Sequence, residues 1–311
     1  MTTLRVLLVG EEAAAAEAFH LVRRAGHHLV AVLTGGRSTT PGGGTGLAGL
    51  ASAAGVPLWS PDLVRRAAFA DQVRGAGVDL LLNVHSLRRV AEPVVQAPRI
   101  GSFNLHPGPL PEYAGLNAPS WAIYHGEVSH AVTLHWMAAG IDTGAIAYET
   151  RFEIDPDDTG LSLSVKCAGH GLPLIARLLD DAASGRGVPR VPQDLSRRRY
   201  YGARPPQEGR LRWDVTASEV VDFVHACQYA PFPSPWGSPL ARLGARELRV
   251  LGAHLTFEPC DAPPGSWRPG PAGAVEVATL DEWVLVDRVE VDGVEEWAQG
   301  ALGGESPGTR P

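Results

Sequence analysis

Lysine is almost missing from this chain. Of its 311 residues only Lys166 carries an ammonium side chain, and arginine supplies the rest of the 27 basic residues. The Gly-rich run Gly42-Gly-Gly-Thr-Gly46 therefore lacks the Gly-Lys-Ser/Thr that a phosphate-cradling P-loop needs, and it reads as a flexible loop. Net positive charge is also missing: the formal charge is -7. That balance disfavours general binding to a nucleic-acid backbone, which needs clustered cations, although it leaves room for a local basic patch. Cysteine is scarce, and Cys167, Cys227 and Cys260 form no CxxC pair. They read as small buried apolar residues rather than a disulfide or zinc framework. The histidines show no spacing with Cys, Asp or Glu that would make a metal site, so no metal is expected. No apolar run is long enough to cross a membrane, and Leu4 to Gly10 is too short for a signal peptide. A cytoplasmic chain without membrane partners is expected. There is no internal repeat.

A hydrophobic share of 44% over this length allows a full core and two domains. Leu4 to Val9, Leu29 to Leu33 and Val78 to Val84 are apolar runs that read as buried strands. Glu11 to Ala25 and Asp62 to Gly75 read as the helices between them. Such alternation predicts a doubly wound, mostly parallel α/β sheet. The Gly- and Ser-rich segment Thr34 to Gly46 predicts a mobile loop. Ala145 to Ile154 reads as a further strand, and Thr159 to Ala183 as a long helix capped from Asp157 to Thr159. The domain division expected is 1–195, a basic, proline-containing linker at 196–208, a C-terminal β-barrel domain at 209–303 with one helix over Ala217 to Cys227, and a disordered tail at 304–311. Gly10 follows the first strand but Glu-Glu-Ala-Ala-Ala follows Gly10, so the dinucleotide fingerprint is absent.

The chemistry gathers at Ile100 to His106. On a strand, Asn104 and His106 project from one face while Phe103 and Leu105 face the other. Three prolines and a glycine at 107–111 then end the strand, which leaves the polar pair where open α/β sheets place ligands. Asp142 lies on a glycine-flanked turn downstream. An amide, an imidazole and a carboxylate suit acyl transfer to an amine: the amide donates to a developing oxyanion, the imidazole moves a proton, and the carboxylate orients it or accepts charge. Taken singly, Asn-x-His reads first as a satisfied structural pair and Asp-Thr-Gly as an ordinary turn. Asp-Thr-Gly recurs at Asp158, the mark of aspartic proteases, but the copies are too close in sequence to come from separate lobes, and the second reads as a helix cap. His135 lies on the stretch Thr133 to Met137, either near this site or as a half-buried histidine.

Three runs in fixed order, FNLHPGPLPEYAG from 103, SWAIYHGE from 120 and HAVTLHWMAAGIDTGAIAYE from 130, resemble the signature of 10-formyltetrahydrofolate-dependent formyltransferases. That family includes methionyl-tRNA formyltransferases, sugar N-formyltransferases and formylation domains of peptide synthetases. Residues 197–237 and 269–293 resemble the linker, first helix and later strands of the family's C-terminal, OB-like domain. The resemblance implies 10-formyltetrahydrofolate as co-substrate and Asn104, His106 and Asp142 as the catalytic set. It further implies that Gly108, Pro109, Leu110 and Pro111 line the folate. The loop His85 to Val90, with Leu87, Arg88 and Val90, corresponds to the pterin-contacting segment, yet departs from the Tyr-Gly-Leu-Ile-Leu type of the tRNA enzymes. The tRNA enzymes carry LPRWRGAAPI where this chain has Leu110 to Pro119, so two cationic positions become Glu112 and Ala114. Residues 113–127 look closer to formylation domains of peptide synthetase and siderophore pathways. The acceptor implied is an amino acid, a hydroxyornithine-like amine or a carrier-protein-bound aminoacyl group. Initiator tRNA is disfavoured as a partner because phosphate contacts need cations. Met-tRNA, an amino sugar nucleotide and, in a different class, hydrolysis of formyltetrahydrofolate stand as alternatives. Arg197 to Arg199 read as a solvated linker rather than a phosphate-facing patch.

Overall fold

The computed structural model describes residues 2–35 and 46–302. It divides into two compact units, the first made of Met1–Ala118, Ser129–Phe152 and Ser164–Tyr201, the second of Pro119–Val128, Glu153–Leu163 and Gly202–Pro311. Most of the loop expected at 34–46, and the tail expected at 304–311, lie outside the described residues.

In the first unit β1 (Arg5–Gly10), α1 (Glu12–Arg24), β2 (His28–Leu33), α2 (Leu47–Ala53), β3 (Leu58–Trp59), α3 (Phe69–Gly75), β4 (Leu80–Val84), α4 (Glu92–Val95) and β5 (Gly101–His106) alternate as the apolar runs require. After β6 (Ala114–Gly115) and α5 (Ala118–Tyr124), which falls almost wholly in the second unit, β7 (Ser129–Trp136), β8 (Ile146–Glu153), α6 (Gly160–Ala183), whose first turn also falls in the second unit, and β9 (Tyr200–Tyr201) follow. One seven-stranded sheet runs β3-β2-β1-β4-β5-β7-β8. Its pairs from β3 to β5 are parallel, and β5 with β7 is antiparallel. Both faces are covered, which is why the strands read as continuous apolar runs. Val6 and Leu8 of β1 face one core with Phe103, Leu105 and the α6 residues Ile175 and Leu178, whereas Leu7 and Val9 face a second with Val64, Phe69 and Val94. Burying Phe103 completely contributes about 1.5–3 kcal/mol.

The helix expected over 62–75 is broken. A 3-10 turn at Pro61–Arg65 precedes α3, and Arg66 between them is extended. The break lets Val64 and Phe69 reach the same core. The cap expected for α6 is present, with the Ser162 amide donating to Thr159 Oγ1 at 3.2 Å and the Ser162 hydroxyl donating to Asp158 Oδ1 at 2.7 Å. Residues 199–201, expected in the linker, instead stay with the first unit because β9 pairs in parallel with β6.

In the second unit α7 (Ala217–Cys227) begins at a capping box: the Glu219 amide donates to Thr216 Oγ1 and the Thr216 amide donates to Glu219 Oε2. Then come β10 (Leu240–Leu243), β11 (Arg246–Val250), β12 (Ala253–Pro259), β13 (Trp267–Pro269), β14 (Val275–Ala278), β15 (Glu282–Val286), β16 (Arg288–Val291) and β17 (Val294–Trp297). They form two four-stranded antiparallel sheets, β10-β11-β16-β17 and β12-β15-β14-β13. The expected small β domain is therefore present as two sheets, and among the described residues no ladder closes them into a barrel. No described helix is long and apolar enough to cross a membrane.

Candidate active site

The site begins with strand register. Asn83 on β4 lies beside Asn104 on β5, and Asn104 lies opposite His135 on β7. One row further along, His106 faces Thr133. Because neighbouring residues in register share a sheet face, an amide, a second amide and an imidazole form a polar row near the carboxyl ends of the parallel strands. Phe103 and Leu105 point the other way, into the core with α6.

The loop after β5 is held by its carbonyls. Those of Pro107, Gly108 and Tyr113 accept from His130 Nε2 at 3.0 Å, Thr133 Oγ1 at 2.8 Å and His106 Nε2 at 2.6 Å. Gly108 has no room for a side chain, since a Cβ there would come within 2.8 Å of Ala118 Cβ and 3.1 Å of His106 Nε2. Gly108, Pro109, Leu110 and Pro111 are all buried. Asp142 sits on the turn between β7 and β8 with a φ of 53°, a region that Asp and Asn tolerate better than most residues. Three contacts brace that turn: Gln193 Nε2 donates to the carbonyls of Asp142 at 2.9 Å and Gly144 at 2.6 Å, and Arg198 Nη2 donates to that of Ile141 at 3.0 Å. A Cβ on Gly144 would overlap the Trp136 carbonyl oxygen, which accounts for glycine two places after the aspartate.

These supports bring the three expected residues together. Asp142 Oδ2 lies 3.7 Å from His106 Nδ1 and accepts from the Gly115 amide at 2.8 Å. Asp142 Oδ1 lies 3.5 Å from both Asn104 Nδ2 and His135 Nε2. Burial pushes the Asp142 carboxyl up, but the neighbouring His106 and the Gly115 amide outweigh it and hold the group well below the usual carboxylate range. Burial pushes the His106 imidazole below its ordinary 6.5, against the pull of Asp142 and with further help from His135 and His85. A carbonyl only accepts, so the Tyr113 contact places the proton of neutral His106 on Nε2 and leaves a lone pair on Nδ1, facing Asp142. The arrangement thus holds a donor amide, a neutral imidazole with a free basic nitrogen and an ionised carboxylate around one point.

His135, which the sequence leaves open between a place near the site and an ordinary half-buried histidine, belongs to the site: it is 2% exposed and receives the Asn104 amide at 3.0 Å. Asn83 and Gln193 were missed. A lone polar residue inside Leu80 to Val84 was the signal for Asn83; Gln193 had none. The pterin-segment residues lie apart from the triad's hydrogen bonds. Val90 is buried against the second core, Leu87 is 82% exposed, and Arg88 bridges Glu11 and Asp62 at 3.1 Å each. Asn83 Oδ1 is buried with no hydrogen-bond partner among the described residues. Among the described residues no group of His, Cys, Asp and Glu is placed to hold a metal.

Comparison with known proteins agrees with this chemistry. Residues 7–177 match the family model described as formyl transferase. Over 241 residues the chain is 31% identical to a methionyl-tRNA formyltransferase of Sorangium cellulosum, covering 77% of this chain and 75% of that one. Its fold is similar to an N-formyltransferase of Helicobacter canadensis solved with folinic acid and dTDP-3-aminofucose, with a TM-score of 0.71 at 16% identity over 91% of this chain and 99% of the other. It is also similar to HypX of Aquifex aeolicus, with a TM-score of 0.66 at 18% identity over 97% of this chain and 47% of that one.

Proposed function

The chain belongs to the formyl transferase family, and from that premise we propose that it moves the formyl group of 10-formyltetrahydrofolate to the primary or hydroxylated amine of an amino acid or a carrier-protein-bound aminoacyl group. The observation that carries the reading is the meeting of Asn104, His106 and Asp142 around one point. The amine nitrogen attacks the formyl carbon, a C–N bond forms, and the carbonyl electron pair moves to oxygen. Asn104 Nδ2 donates to that oxyanion, an interaction worth about 2.7–4 kcal/mol. His106 Nδ1 takes the amine proton, and Asp142 stabilises the imidazolium that results. With Nδ1 unprotonated, His106 accepts first and donates only afterwards, returning its proton to the folate nitrogen as that bond breaks.

Gly108, Pro109, Leu110 and Pro111 would flank the folate, and the backbone of residues 85–90 would hold the pterin. In this reading the catalytic part runs to Tyr201, residues 209–303 form the C-terminal domain, and 202–208 join them.

Charge supports a small or carrier-bound acceptor. Arg197 is paired with Glu112, and Arg198 is spent on the Ile141 carbonyl and the Tyr200 ring. Two of the three clustered arginines thus have partners within the protein, which weakens a phosphate-binding role. Met-tRNA is the second reading, supported by the 31% identical relative. The test is a panel of amines incubated with 10-formyltetrahydrofolate and read by mass spectrometry. A formyl adduct on one of the small or carrier-bound amines supports the reading; folate turnover that releases only formate contradicts it.

A further inference from the structure

Asn83 touches no reacting atom, yet it is 5% exposed and sits in the polar row. An asparagine amide has two nearly isosteric ends, and a half-turn of the group exchanges a donor for an acceptor. At Asn104 the difference decides the reaction, because an acceptor turned toward a developing oxyanion repels it.

We propose that Asn83 is a positioning residue that fixes which end of the Asn104 amide faces the formyl oxygen; this rests on the formyl-transfer reading of Asn104. The orientation follows from a chain of contacts. The Trp136 carbonyl accepts from His135 Nδ1 at 2.8 Å, which places a ring proton there and leaves Nε2 to accept. That lone pair receives the Asn104 NH₂ group at 3.0 Å, and the ionised Asp142 stands 3.5 Å from the same nitrogen. Asn104 Oδ1 is then left on the opposite side, where Asn83 Nδ2 donates to it at 2.7 Å. No other described group donates to that oxygen. Asn83 is itself oriented, because its Nδ2 also faces the Ser86 carbonyl at 3.4 Å, and a flip would set its oxygen against two acceptors. A flip of Asn104 would set its oxygen against a lone pair and a carboxylate, and its NH₂ against the NH₂ of Asn83. His135 and Asp142 hold one end of the amide; Asn83 holds the other.

The test uses the full-length chain. Asn83→Leu keeps the approximate volume and removes the donor, Asn83→Asp offers only acceptors, and Asn83→Thr restores a donor. Formyl transfer from 10-formyltetrahydrofolate should fall about 10²-fold in kcat with the first two, the loss typical of a misplaced reacting group. The KM for the folate should change much less, and the threonine variant should recover most of the rate. In an Asn104→Ala background the Asn83→Leu change should cost nothing further, since a residue acting through Asn104 has nothing left to act on. A second readout needs no activity: the side-chain ¹⁵N–¹H signals of Asn104, identified by their loss in Asn104→Ala, should shift in Asn83→Leu. Additive losses in kcat, or unmoved Asn104 signals, would overturn the proposal. Should the parent chain formylate no amine, the functional reading fails, while the amide signals still decide the orientation. If Asn83→Leu does not fold, the Asp and Thr variants give the same contrast.

Discussion

Replacing Asp142 with asparagine removes a charge and keeps a shape. The backbone can accommodate it, because asparagine shares the tolerance of aspartate for a φ of 53°, and the Gln193 contacts go to main-chain carbonyls that the substitution leaves in place. What disappears is the attraction between Asp142 Oδ2 and His106 Nδ1 across 3.7 Å. For unit charges at that separation it is roughly 4 kcal/mol at an effective dielectric of about 20. The interaction exists only once His106 has taken the amine proton, so it favours the transition state over the resting enzyme. An asparagine dipole replaces part of it, and a loss in kcat of about 10²–10³ is expected. The sign of the pH effect is fixed as well. Burial already lowers the His106 pKa from 6.5 and Asp142 opposes that shift, so removing the carboxylate moves the acid limb of the rate profile to lower pH. Single-turnover kinetics across pH, with tetrahydrofolate release as the signal, measures both. A variant with the parent rate and an unmoved acid limb would reduce Asp142 to a turn residue.

Further outcomes follow from the same geometry. Asn104→Ala should lower kcat by about 10²–10³ while leaving folate affinity largely intact, checked by turnover beside equilibrium binding of a folate analogue. Thermal stability should fall as pH drops below about 6.5, because buried His106 resists the proton that its unfolded form accepts. His27 and His225 are pushed down by burial and share that sign. Melting curves of His106→Asn, flatter with pH than those of the parent, would isolate the contribution of His106.

The parallel sheet was legible because strands buried on both faces leave continuous apolar runs, and α7 because its capping box, Thr216 with Glu219, is local. The break after Arg65 was not: no Gly or Pro marks it, and Val64, which a continuous helix would point away from Val73, joins the core of Phe69 and Val73 only through the extended Arg66. In the site, Asn104 and His106 could be paired from the two-residue period of a strand. Membership of His135 and Asn83 depends on register with β5, set by pairing between distant strands. Gln193 reaches Asp142 across 51 residues of sequence, and no local pattern encodes that.

The most direct test of the account compares kcat/KM for formyl transfer to hydroxyornithine, free amino acids and carrier-bound aminoacyl groups with that for charged initiator tRNA and amino sugar nucleotides. With Arg197 tied to Glu112 and a formal charge of -7, one of the small or carrier-bound amines should be formylated far better than the tRNA, at a rate that added salt changes little. Efficient, steeply salt-sensitive formylation of the tRNA alone would contradict the account.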